Sequence, residues 1–276
     1  MARAPDADFA RLWAPERAPG VELFCGRLVR HAFSKHAHEA YTVGLNDGGG
    51  GAFWWAGAER AAAPGGLNLI NPGEAHTGRA AAPEGWRLRD LYIEIAELDR
   101  VAAGLGWRGP VSFAAPTAAD PPLYAACGRL FDALAEPSPR LARESLLVDV
   151  VGRLLAAHCQ RPLRPRPPGR EAGALARARD YLAAHFADEV GLDELARRVG
   201  LSPAYFIRAF HRRFGLPPHQ YQRQLRLAHA KRALRSAAPL ADVAAAHGFY
   251  DQSHLTREFR RAFGVTPGAY RRAVSS

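Results

Sequence analysis

The sequence predicts a two-domain α+β chain: a small N-terminal β-barrel with trailing helices, then an all-α domain made of two helix-turn-helix units. Three observations carry this. Short β-prone runs broken by turn residues fill Val21 to Ile95. Two amphipathic stretches and a proline-rich segment follow. One pattern of apolar and glycine positions is then written twice between Leu192 and Tyr270. The chain of 276 residues suits about two domains, and an apolar fraction of 48% excludes wholesale disorder. The expected boundaries are residues 1–120 for the barrel, 121–160 for a helical pair, 161–173 for a linker and 174–276 for the double helix-turn-helix domain.

In the first half the runs are GVELFCGRLVRHAF, AYTVGLN, GAFWWAG, GGLNLINPG and WRLRDLYIEI. Asn46-Asp47-Gly48-Gly49 and Pro64-Gly65-Gly66 mark turns between them. Many short strands at such spacing indicate a sandwich or small barrel. The half-buried alternation of Leu88–Ile95 fits a barrel wall. His36 and His38, two residues apart, would share one face of a strand, and Asn71-Pro72-Gly73-Glu74-Ala75-His76 would bring a third imidazole from a neighbouring turn. Three imidazoles could hold a zinc-like divalent ion with an open site. They could equally line a small-molecule pocket or satisfy one another. Tyr41, Trp54, Trp55, Asn71, Arg89 and Tyr92 would supply the aromatic and polar walls usual in such pockets. At least one of the two tryptophans belongs to ordinary packing.

From Pro121 to Gln160 the pattern turns helical. LYAACGRLFDALAE and LARESLLVDVVGRLLAAH flank Pro137-Ser138-Pro139. Leu141, Leu147, Val148, Val151, Leu154 and Leu155 form a broad apolar stripe, part of which would cover the barrel. RPLRPRPPGREAG, with four prolines, reads as a semi-rigid spacer.

The duplicated pattern gives each copy a helix, a glycine turn and a second helix. Leu192, Leu195, Ala196 and Val199 mark the buried face of the first helix. Gly200 ends it, and Ser202-Pro203 restarts the chain with a capping serine and a first-turn proline. Phe206, Phe210 and Phe214 then face inward. Ala204, Ile207, Arg208 and His211 face outward, flanked by Ser202 and Arg212. In the second copy Asp251 can cap, and Leu255, Phe259 and Phe263 face inward. Gln252, Ser253, Thr256, Arg257 and Arg260 face out. Gln220 to Leu234, without Gly or Pro, is a helical connector. A rod of about 20 residues would approach one turn of duplex, the spacing at which two helices enter successive major grooves. Charge agrees. Residues 170–276 carry 18 basic and 9 acidic side chains, whereas residues 1–160 carry 16 and 18. One half alone is suited to a polyanion.

These residues carry a resemblance. LARRVGLSPAYFIRAFHRRFG, the Arg226-to-Ala233 part of the connector and AAAHGFYDQSHLTREFRRAFGVTPGAYRR resemble the DNA-binding domain of the AraC family of bacterial transcription regulators, over roughly Ala174 to Arg272. The resemblance implies seven helices, with readers near Pro203–Phe214 and Gln252–Phe263. Ala204 and Ile207 depart from it, being apolar where many members offer polar groups. LNLINPGEAHTG and its surroundings, roughly Phe33 to Ile95, resemble the cupin barrel that precedes this domain in the family and binds effectors. Enzymatic cupins carry a glutamate four or five positions after their paired histidines. Here those positions are Thr42 and Val43, so the carboxylate is missing. The resemblance implies a DNA-binding regulator, by family default an activator, whose partners are double-stranded DNA, an unidentified effector and RNA polymerase. It also implies a homodimer built through the helical pair. No cofactor is required, with a divalent metal on His36, His38 and His76 left open.

The rival from another class is a metal-dependent cupin enzyme fused to a DNA-binding domain, against which the missing carboxylate argues. A DNA-repair alkyl acceptor needs an activated cysteine, and Cys25, Cys127 and Cys159 have no ligand cluster beside them. A non-specific DNA-packaging protein would not need a separate pocket domain. Isolated cysteines and the lack of an apolar leader in MARAPDADFARLW fit the cytoplasm. Asp149 and Arg153 interrupt the longest apolar stretch, so no membrane span is expected.

Overall fold

The computed structural model describes residues 7–161, 163 and 171–274. Most of the expected linker, residues 161–173, lies outside them. Packing divides the chain into two units, Met1–Ala135 with Leu146–Pro165, and Glu136–Ser145 with Arg166–Ser276.

In the first unit the strands are β1 (Phe9–Trp13), β2 (Val21–Leu28), β3 (Ala32–His36), β4 (Ala40–Gly49), β5 (Gly51–Trp55), β6 (Ala58–Ala62), β7 (Leu67–Ile70), β8 (His76–Ala80) and β9 (Trp86–Glu94). Helix α1 (Ile95–Gly104), the short β10 (Thr117–Ala118) and helices α2 (Pro121–Ala135) and α3 (Arg140–Ala157) follow. The strands form two antiparallel sheets, β1-β2-β9-β4-β7-β10 and β3-β8-β5-β6, rather than one closed ring. The expected barrel is therefore a two-sheet enclosure.

Period-two alternation decides what each strand does. On β9, Leu91 and Ile93 are fully buried in a core shared with α1, α2 and α3, while Trp86 and Leu88 belong to a second apolar cluster between the sheets. On β4, Tyr41, Val43 and Leu45 join the helical side. The apolar stripe of α3 packs there too, through Leu147, Val151, Leu154 and Leu155, with Val148 partly covered. Each such side chain contributes about 1.5–3 kcal/mol by burial. The stripe is thus consumed inside the chain, and a homodimer needs another surface.

In the second unit the helices are α4 (Ala172–Ala184), α5 (Leu192–Arg198), α6 (Pro203–Phe214), α7 (Pro218–Ala233), α8 (Leu240–Ala246), α9 (Gln252–Phe263) and α10 (Pro267–Val274). The duplication is exact in element length: α5 and α8 have 7 residues each, α6 and α9 have 12. Gly200 and Gly248 end the first helix of each copy at φ +69° and +74°, which a side chain would strain. Phe206, Phe210, Leu255 and Phe259 are fully buried. The connector α7 has 16 residues, hence a length of about 24 Å. That is shorter than a duplex turn, so connector length alone does not set the spacing of the readers.

Arg226 of α7 is 3% exposed and holds the unit together. Its guanidinium donates to the carbonyls of Phe186 and Asp188 in the α4–α5 turn, at 2.7 and 2.8 Å, and to Gly248 in the α8–α9 turn, at 2.7 Å. Buried Gln222, one turn earlier, donates to the same Phe186 and Asp188 carbonyls. One helix therefore ties the two copies through backbone acceptors that helix ends leave open.

Candidate nucleic-acid interface and ligand cavity

The two second helices, α6 and α9, start differently. Asp251 accepts a hydrogen bond from the His254 amide at 2.6 Å, the expected cap. Ser202 makes no side-chain cap, and only its carbonyl is used, by the Phe206 amide. On α9 the outward set is accessible: Gln252, Ser253, Arg257 and Arg260 are exposed and Thr256 is half-buried. Thr256 spends its hydroxyl proton on the Gln252 carbonyl, 2.8 Å away. Within the same unit, the Arg257 guanidinium lies 3.3 Å from the exposed Glu136 carboxylate, a contact that solvent weakens.

On α6 the reading face is narrower than expected. Ser202, His211 and Arg212 are exposed, and Ile207 and Arg208 are half-buried. Ala204 is only 3% exposed and does not belong to the accessible face. A methyl projects little beyond the helix backbone, so packing around this turn covers it while the longer half-buried Ile207 and Arg208, one turn on, still reach the surface. Burial also holds the Arg208 guanidinium below its ordinary pKa.

In the first unit a cavity of about 780 Å³ opens between the sheets. That falls within the size of small-molecule sites. Of the expected pocket residues, His36, His38, His76 and Tyr92 line it. The other five do not; Trp55 packs beside the cluster between the sheets and donates its indole N–H to Glu74 at 3.0 Å, and the remaining four are placed by their own surroundings. Tyr41 points to the helical side of β4, where its hydroxyl donates to the Val111 carbonyl at 2.8 Å. Arg89 lies on the opposite face of β9 from Asp90 and pairs with Asp47 at 2.7 Å and Asp132 at 3.2 Å. Trp54 lies next to the cavity-lining Phe53 on β5, hence on the other face, beneath the Lys35 ammonium. Asn71 is a positioning residue: it bonds Glu74 and the Phe113 backbone and so shapes the turn that delivers His76.

The polar floor of the cavity was missed by the sequence reading. Thr42, Asn68 and Asp90 line it beside Tyr92. Asn68 was legible as the lone polar residue of LNLI, and Asp90 as the residue two before Tyr92. Asn68 and Asn46 exchange reciprocal amide hydrogen bonds at 3.2 Å. Burial pushes the Asp90 carboxyl up to about 7, and the Tyr92 hydroxyl, donating to it at 3.4 Å, is raised by its own burial and by that carboxylate. The Thr42 hydroxyl oxygen is buried without a hydrogen-bond partner, an arrangement that costs about 1–3 kcal/mol unless a ligand satisfies it.

The three imidazoles converge at one end of the cavity. His36 Nε2 and His38 Nε2 are 3.2 Å apart, and the rings of His36 and His76 are 4.5 Å apart. Burial, followed by repulsion from His36 and His76, holds His38 down at about 4, and burial also lowers His76. The Cys127 and Cys159 thiols are unsuited to nucleophilic chemistry, since burial pushes them up to about 12 and about 11. Among the described residues no helix is long and apolar enough to cross a membrane.

Comparison with known proteins agrees with this division of labour. Residues 18–151 match the model of the AraC-like ligand binding domain, and residues 195–273 match a helix-turn-helix domain model. An uncharacterized HTH-type transcriptional regulator of Bacillus subtilis, YbfI, is 23% identical over 85% of this chain and 86% of its own. The transcriptional activator RhaS of Escherichia coli is 40% identical over 88 residues, so that this chain spans about a third of its length (32%). Among solved structures, the DNA-binding domain of AdpA, in complex with a target DNA, is 32% identical over 36% of this chain and 91% of that one, with a TM-score of 0.35. A ligand-binding enclosure followed by a double helix-turn-helix unit, matched in that order by both domain models, makes this chain a member of the AraC family of transcriptional regulators.

Proposed function

We propose that a small molecule entering the cavity of the first unit alters how α6 and α9 engage an operator, and that the outcome is activation of transcription. The observation that carries this is the Thr42 hydroxyl, buried and unsatisfied in the floor of a cavity on a chain whose other unit presents basic helices. The cavity wall holds no Lys or Arg among the described residues, while Glu22, Asp90 and Glu94 line it. An uncharged polyhydroxylated or cationic effector fits such a wall better than an anion. Catalysis has little support: Val43 points to the helices, Thr42 offers only a hydroxyl, and among the described residues no carboxylate joins the histidine cluster.

On the DNA side, arginines supply sequence-independent affinity through phosphates, a contribution that falls steeply with salt. Arg257 and, through a narrower opening, Arg208 read base edges, since a guanidinium clasps guanine with two hydrogen bonds worth about 1–3 kcal/mol. RNA polymerase is the protein partner an activator requires. A homodimer would double the number of readers, using a surface other than the α3 stripe. The test is a gel-shift titration at fixed salt with Arg257→Ala on operator and random DNA. Affinity should drop about 5- to 150-fold on the operator, following that 1–3 kcal/mol, and much less on random DNA. Equal losses on both would remove Arg257 from base reading.

A further inference from the structure

We propose that His36, His38 and His76 form a divalent metal site of the zinc class, with an open coordination position facing the cavity. Neither the regulator reading nor the DNA interface requires it. Three features of the geometry support it.

The first is spacing. In a tetrahedral zinc site, with Zn–N of about 2.0–2.1 Å, ligand nitrogens lie about 3.3 Å apart. His36 Nε2 and His38 Nε2 already sit at 3.2 Å, and one ligand atom from each of the three histidines lies within 4.8 Å of the others. Closing the widest gap takes a side-chain adjustment of about 1.5 Å to reach that ideal spacing.

The second is the outer shell. The Nδ1–H of His36 donates to the Ser34 carbonyl at 2.8 Å, and that of His76 to the Glu74 carbonyl at 2.9 Å. These backbone acceptors fix the proton on Nδ1 and turn the Nε2 lone pair of each ring toward the centre, as the outer shell of metal-bound histidine does. Without a metal, the facing Nε2 lone pair of His36 needs a donor, and the His38 Nε2–H is the one within reach. Ring protons are assigned from these partners.

The third is charge. The cavity wall has four carboxylates, Glu22, Glu39, Asp90 and Glu94, and no basic side chain other than histidines among the described residues. The Glu74 carboxylate beside the site is already engaged by Trp55 Nε1 at 3.0 Å and by Asn71. It braces the turn and does not compete for the metal. Three neutral nitrogen donors, an acidic surround and a cavity on the fourth side suit a borderline divalent ion of the zinc, cobalt or nickel type. His38 stacks toward Tyr92, with ring centroids 4.7 Å apart. The open position would therefore look along the Tyr92–Asp90 floor, where a bound effector would meet both.

The experiment uses full-length protein without a histidine tag, stripped with a chelator and dialysed against micromolar zinc. Elemental analysis should find about one zinc per chain in the native protein, and less than about a tenth of that in His38→Ala and in His76→Gln. Circular dichroism and operator gel shifts on the same samples report folding and DNA binding, so failure of the metal site is separable from failure of the regulator. Native protein that takes up no metal, or variants that keep it, would overturn the proposal. Should both variants misfold, cobalt loaded into the native protein decides. Intense visible bands of a four- or five-coordinate ion support the site, and weak six-coordinate bands refute it.

Discussion

Replacing Arg226 with methionine keeps the length of the stem and removes the guanidinium. Three charge-assisted hydrogen bonds of 2.7–2.8 Å disappear. Gln222 still donates to the Phe186 and Asp188 carbonyls, so those two acceptors keep a partner. The Gly248 carbonyl loses its Arg226 donor beneath a tight turn, at about 1–3 kcal/mol, and each charged bond lost adds about 1.5–3 kcal/mol before relief. That relief is real, because burial, only partly offset by Glu189 and Asp188, pushes the guanidinium down to about 10, still charged at neutral pH. The expected balance is a loss of about 3 kcal/mol, a large share of the ~5–15 kcal/mol that holds a domain folded. With a urea m-value of about 2 kcal/mol/M, the midpoint of the second unit should fall by about 1.5 M. The assay is urea unfolding of the full chain by far-UV circular dichroism, with Arg226→Lys expected in between. A midpoint shift below about 0.3 M at unchanged m would refute the tie-point argument.

The other predictions follow from single sites. Asp90→Asn tests the raised carboxyl. A folded pKa of about 7 against 3.8 unfolded means that stability is full below about pH 4 and is lost as pH rises toward 7. The variant should therefore gain on the native protein between pH 5 and 7.5 in thermal melts, by up to a few kcal/mol, and a constant difference would count against it. Gly248→Ala should cost about 2 kcal/mol or more, because the backbone sits at φ +74° and the new Cβ would clash with the Ala187 carbonyl oxygen; a neutral chemical-denaturation result would contradict this. Asp251→Ala should destabilise by about 1 kcal/mol whereas Ser202→Ala should be near zero, since only Asp251 caps with its side chain; equal effects in urea titrations would undo the distinction.

The second unit was legible because its signal is redundant. Phenylalanines four apart, a glycine between helices and a repeat of the whole arrangement each fix the same seven helices. The faces were less legible. Ala204 has the helical angle of an outward residue, yet it is buried, because a helical wheel carries no side-chain length and a methyl is easily covered. In the first unit the histidines could be placed because a turn and a two-residue spacing are local. Tyr41 and Arg89 could not, because their faces depend on which side of the first sheet receives α1, α2 and α3. Trp54 could not either, because its face depends on which side of β5 turns toward the other sheet. Strands β1, β6 and β8 lack a strong apolar pattern, β1 and β6 reading FARLW and AERAA, and they form because neighbours offer unpaired edges.

On β9, even-numbered Asp90 and Tyr92 look into the cavity, whereas Leu88, which also borders it, belongs to the apolar cluster between the sheets, and odd-numbered Leu91 and Ile93 are locked against helices. Recognition and cohesion are thereby assigned to different residues of one strand. New effector preferences can be bred by exchanging Asp90 and Tyr92 alone, with the hydrophobic scaffold around them left intact. A library confined to those positions and to Thr42 and Asn68 samples altered responsiveness at low risk of collapse.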